Sequence, residues 1–146
     1  MIQIQSIPST SIDQIEPLWC ALTQHHADLT NHFHSHYETN SFAKRRAALL
    51  TKDQLAIFGA FHEQQLVGFA LCSVTGEVGE IDSLYVESAH RGNDLGARLM
   101  NKSIKWLRET NCHHIRLAVG DGNEQVMSFY KSLGFEVRAY QMELID

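Results

Sequence analysis

The chain has 146 residues, 44% of them hydrophobic and 20% charged, and a net charge of −5 with the histidines neutral. This length predicts one domain over residues 1–146 with a real core, and this charge argues against nucleic acid as the main partner, because phosphate contacts need clustered Lys and Arg. The most apolar run, Leu66 to Val74, is too short to span a bilayer, and Met1-Ile-Gln-Ile-Gln lacks the features of a secretory signal, so neither membrane nor export is expected.

Ile2 to Ile7 alternates Ile with polar residues, which predicts a strand. Ser9, Thr10 and Ser11 offer caps, and Ile12, Ile15, Leu18, Trp19 and Leu22 recur at helical spacing, giving a helix to about His26. Asp28 to Asn40 is polar and rich in His and Asn, hence a loop. Phe42 to Leu50 carries Lys44, Arg45 and Arg46 among apolar residues and predicts a second helix. Leu55 to His62 and Gln65 to Val74 read as a hairpin around Glu63-Gln64. Gly76 to Gly79 is a turn, and Glu80 to Val86 the next strand. Leu95 to Thr110 is a long amphipathic helix, with Leu95, Leu99, Ile104 and Leu107 set against Arg98, Lys102, Lys105 and Arg108. His114 to Val119 is a strand, Gly120-Asp121-Gly122 a turn, and Asn123 to Leu133 a helix stopped by Gly134. Phe135 to Leu144 is read as the last strand. The order β-α-α-β-β-β-α-β-α-β predicts a mixed α/β domain.

Cys20, Cys72 and Cys112 are isolated and make no C-x-x-C. Neither a disulfide framework nor a zinc site is suggested, and buried thiols in a reducing cytoplasm are the expectation. His32, His34 and His36 alternate, but no Cys or carboxylate completes a ligand set at usual spacing. They are read as a polar loop rather than a metal site. Arg45 and Arg46 are read as an exposed helix face.

The segment from Ile81 to Met100 joins a strand, a short loop and a helix start. Unpaired N–H groups and the helix dipole converge at such a start and suit a phosphate or pyrophosphate. The loop is neither a P-loop nor G-x-G-x-x-G; its spacing is Arg91-x-x-x-x-Gly96, with Gly92 beside the arginine. Small residues allow close approach of the backbone, and Arg91 supplies charge.

With Leu84-Tyr85-Val86 before the loop, and Asn123, Val126, Phe129, Tyr130, Gly134 and Phe135 after it, the chain resembles the GNAT superfamily of acyl-CoA-dependent N-acetyltransferases. The likeness covers Glu80 to about Leu107 and His114 to Phe135. It departs at Asp94, where the family has a glycine; Asp tolerates a left-handed backbone, so the loop is expected to close with Asp94 facing solvent and coenzyme A held more weakly.

The resemblance implies a twisted, mostly antiparallel sheet with a splayed parallel strand pair at its centre and helices on both faces. It implies acetyl-CoA as cosubstrate, with no metal. The backbone of Leu84, Tyr85 and Val86 would hold the pantetheine arm, the stretch Arg91, Gly92, Asn93, Asp94, Leu95, Gly96 and Ala97 the pyrophosphate, and Asn123 the pantetheine or a water. Glu80 is the first expectation for the general base and Asp82 the second, since residues two apart on a strand share a face. Tyr130 would protonate the leaving thiolate. The segment Leu22 to Leu50 would line the acceptor pocket, with walls from Trp19, Phe33, Tyr37 and Phe42, and Asp28, Glu38, Glu80 and Asp82 favouring a cation. The expected acceptor is a small-molecule amine. A catalytically weak acyl-CoA-binding module and a protein or peptide lysine acetyltransferase are the alternatives. The family's frequent C-terminal dimers imply a homodimer.

Overall fold

The computed structural model describes the whole chain, residues 1–146. Five strands form one sheet in chain order: β1 (Ile2–Ile7), β2 (Gln54–His62), β3 (Gln65–Thr75), β4 (Val78–Val86) and β5 (His114–Leu117). The first four pair antiparallel, while β4 and β5 pair parallel. The β2–β3 hairpin turns on Glu63 and Gln64, both at positive φ, the conformation that a two-residue turn with the strands' own twist requires.

β3 is the centre of the sheet, buried without a break from Val67 to Val74. Its Phe69 and Leu71 pack with Ile57 against α1 (Glu16–Leu29) and α3 (Phe42–Leu49). Pro17 sits in the first turn of α1, where its missing N–H costs nothing. Edge-on contact of the Trp19 and Phe42 rings, 5.5 Å between centroids, locks the two helices together. On the other face, Ala70, Cys72 and Val74 meet α4 (Leu95–Arg108). That helix buries Leu95, Leu99, Met100 and Leu107 along one stripe, each contributing roughly 1.5–3 kcal/mol. Helix α5 (Met127–Ser132) lays Phe129 and Tyr130 on the same cluster.

Three expectations are corrected. The first helix begins at Glu16, because Ser9–Ile15 is wound as a tighter 3-10 turn, and it runs on to Leu29. The polar stretch 28–40 is not only loop; a short helix, α2 (His34–Glu38), lies within it. The Phe135–Leu144 strand is absent. After the Phe135 N–H donates to the Tyr130 carbonyl, the segment makes no backbone hydrogen bond, and Tyr140, Met142 and Leu144 are 83%, 91% and 89% exposed. Alternation gives a segment the side chains of a strand; the ladder needs a second edge, and here none is paired with it.

Candidate functional site

The site begins where the parallel ladder ends. β4 and β5 pair only from Val78 opposite His114 to Ile81 opposite Leu117. From Asp82 to Val86, β4 keeps β3 on one side and has no strand on the other. The cause lies in the register. Leu71 faces Ser83 and Cys72 faces Ile81, so Asp82 is an extra residue, a bulge. Bulges bend and twist a strand and re-aim a side chain. The two strands therefore splay, opening a cleft of about 1370 Å³ between Ile81–Val86 and Leu117–Asp121.

One end of the cleft is the loop before α4. Arg91 donates from Nε to the Val86 carbonyl at 2.8 Å, and its guanidinium lies over the Tyr85 ring, 5.5 Å from the centroid. Gly92 takes φ +88, which side chains disfavour. Asp94 is left-handed at φ 58, exposed, and makes no capping hydrogen bond, as its tolerance of that backbone predicts. The first N–H groups of α4 have no partner within the helix and carry the positive end of its dipole. Arg91, Gly92, Asp94, Leu95, Gly96 and Ala97 all line the cleft, whereas Asn93 does not. Free amides, a guanidinium and a bare strand edge fit a diphosphate with an amide-bearing arm.

Asn123 and Tyr130 also line the cleft. Burial pushes the Tyr130 phenol upward, so it keeps its proton at neutral pH.

Asp82 lies at the other end of the bare edge. Its side chain is fully buried against protein, yet it lines the cleft. Ser73 Oγ donates to Oδ2 at 2.6 Å, and Arg45 Nη2 lies 3.3 Å from Oδ1. Burial pushes its pKa up to about 6; Glu80, hydrogen-bonded to it, acts in the same direction, and Ser73 and Arg45 act against it. The two carboxylates thus share a face, as their spacing predicts, but only Asp82 reaches the cleft wall. Leu84, Tyr85 and Val86 line the unpaired edge between the two ends.

Trp19, Phe33 and Tyr37, expected as acceptor walls, line the cleft together with His25, His26 and His36. His26 stacks on Tyr37, 5.5 Å between centroids, and burial followed by the nearby His25 lowers its pKa, leaving it neutral. Asp28, Glu38 and Phe42 line a smaller neighbouring alcove of about 680 Å³ instead. Sequence reasoning missed Arg45 and Ser73 as partners of Asp82, and Asp121, whose Oδ2 accepts from Thr30 and Asn31. Nothing in the spacing of these residues signals such contacts, which join distant parts of the chain. Arg46 lies on the surface beside Asp13, as expected of an exposed face.

Comparison with known proteins follows the same lines. The model of the acetyltransferase (GNAT) family matches residues 19–135. An uncharacterised N-acetyltransferase of Methanocaldococcus jannaschii is 32% identical over 95 residues, 60% of this chain and 42% of that protein. Another, from Archaeoglobus fulgidus, is 33% identical over 91 residues, 58% of this chain and 62% of that one. The match thus spans less than two thirds of either relative. The PaiA N-acetyltransferase of Thermoplasma acidophilum, solved in complex with coenzyme A, superposes with a TM-score of 0.73 at 18% identity, over 97% of this chain and 93% of that one. That likeness is one of fold.

Proposed function

The chain belongs to the acetyltransferase (GNAT) family, and from that premise we propose that it moves an acetyl group from acetyl-CoA to the primary amine of a small molecule, by direct attack within a ternary complex. The observation that carries the proposal is the bare edge of β4 from Asp82 to Val86, running from a buried carboxylate to the N-terminus of α4.

In this reading the α4 amides and Arg91 hold the diphosphate. Backbone groups of Leu84 and Val86 hold the pantetheine arm, with Asn123 opposite. Asp82 is a better candidate for the general base than Glu80, because of the two residues only Asp82 lines the cleft and burial raises the pKa of its carboxyl. A pKa of about 6 leaves it ionised at pH 7 yet more basic than an ordinary carboxylate. The ammonium of the acceptor gives its proton to Asp82 through water. The free amine then forms the N–C bond as the C–S bond breaks; the Tyr130 hydroxyl protonates the departing thiolate and regains, through water, the second proton that the acylated nitrogen sheds.

The whole chain is proposed to act as one domain. Three free cysteines suit a reducing cytoplasm, and no helix is long and apolar enough to cross a membrane. A homodimer through the C-terminal segment would cover Tyr140, Met142 and Leu144, while Gln141 and Glu143 between them line the cleft.

Release of free thiol from acetyl-CoA across a panel of amines tests the function. Release with one or more small amines is expected. Transfer to lysine-bearing peptides alone, or no release at all, would overturn it.

A further inference from the structure

The loop after β5 meets the acceptor wall at three successive residues. Gly120 lies beneath Tyr37 of α2, where a Cβ would come 2.7 Å from the hydroxyl oxygen. Asp121 Oδ2 accepts from Thr30 Oγ1 at 3.0 Å and from the Asn31 N–H at 2.8 Å. Gly122, at φ +91, leaves no room for a side chain, since a Cβ would overlap the Leu29 carbonyl. Thr30 is itself 3% exposed, and its hydroxyl accepts from the Phe33 N–H at 3.2 Å. A short polar relay thus runs from Asp121 through Thr30 to the start of α2.

The two sides of this clasp belong to different walls. Val119 and Asn123, flanking the loop, line the wall opposite the bare edge of β4, whereas Phe33 and Tyr37 line the acceptor side. Helix α2 has five residues and buries none of them. A helix this short has no stability of its own, so its place is set by what holds its ends.

We propose that Asp121 is a positioning residue: by clasping Thr30 and Asn31 it locks the acceptor wall, residues 30–38, to the wall that takes the cofactor, so that ordering one orders the other. The inference rests on coenzyme A occupying the cleft as proposed above. Asp121 neither gives nor takes a proton in the reaction. The hydrogen bond from Asn31, and next that from Thr30, hold its carboxyl below the usual range, so the clasp is charged and closed at neutral pH.

Hydrogen exchange on the full chain, with coenzyme A as the probe, tests this. Saturating coenzyme A is expected to slow amide exchange across residues 30–38 of the wild type by about fivefold or more. Asp121→Ala is expected to bind coenzyme A within about threefold of the wild type by calorimetry and to lose that slowing, because one interaction between the walls is gone. Asp121→Asn, which keeps an accepting oxygen, is expected to restore part of the slowing. Thr30→Val, which removes one of the two bonds, is expected to reduce it, and serves if the alanine variant does not fold. Undiminished slowing in Asp121→Ala or Thr30→Val, or none in the wild type with coenzyme A bound, would overturn the inference alone. Absence of any coenzyme A binding would overturn the proposed function and this inference with it.

Discussion

Arg45 on α3 places Nη2 3.3 Å from Oδ1 of Asp82 on β4, tying that helix to the bulge that opens the cleft. In the proposed mechanism the pair would tune the base as well as tie the two elements. Burial and Glu80 push the Asp82 pKa up, and the guanidinium is one of two groups that hold it near 6 rather than higher. Arg45→Met keeps an unbranched apolar stem and removes the charge. Losing an opposite charge at this range raises a carboxylate by about one pK unit. The midpoint of thiol release against pH is expected to move up by that amount, with coenzyme A affinity unchanged. An unmoved midpoint would detach Arg45, or Asp82 itself, from the chemistry.

Asp82 also predicts a dependence of stability on pH. Its pKa is raised from 3.8 unfolded to about 6 folded. The protonated form is therefore favoured by folding. That contribution is fully present below the unfolded value and is lost as pH rises through the folded one. The rise of about two units corresponds to about 3 kcal/mol at 1.36 kcal/mol per unit. Asp82→Asn has no such proton to lose. Between about pH 3 and about pH 7, wild-type unfolding free energy is expected to fall relative to Asp82→Asn by about 3 kcal/mol. Parallel curves from denaturant titration would contradict the burial of a charge at this position.

Asp94 costs something in backbone and something in charge. A left-handed non-glycine residue is disfavoured by about 1 kcal/mol, and here no capping hydrogen bond offsets it. Its carboxylate also stands at the rim of the cleft. Asp94→Gly is expected to stabilise the fold by about 0.5–1 kcal/mol and to tighten coenzyme A severalfold. Tighter binding by the wild type would show that the aspartate makes a contact with the cofactor.

Much of this could be read before any coordinates. Periodicity located β1 to β4 and α4 within a few residues, because each buries a regular stripe whose spacing is local. The Arg91–Gly96 spacing marked the loop, since its constraint is also local. What lay beyond reach was set by contacts across the chain. Asp82 outranks Glu80 at the cleft because of a register slip opposite Leu71 and Cys72, and pairing register leaves no trace in one strand alone. Arg45 looked like a solvated helix charge and is instead half-buried beside that carboxylate. The C-terminal segment shows the reverse error: it has a strand's alternation and no strand beside it.

That segment yields a prediction about assembly. Residues 136–146 contain no Gly, Pro or Asn to turn the chain back, and β5 offers a free edge of four residues. An uninterrupted strand with an apolar face seeks an edge, and a second copy supplies one in return. Light scattering is expected to report two chains per particle, and one chain after deletion of residues 136–146. A monomeric full-length protein would remove the dimer from the account.

The most direct test is calorimetric titration of the folded chain with coenzyme A and with acetyl-CoA. One molecule of either is expected to bind per chain, with affinity reduced about tenfold or more in Arg91→Ala, which takes a guanidinium from the diphosphate. No heat with either compound, from protein shown to be folded, would contradict the assignment of the cleft and everything built on it.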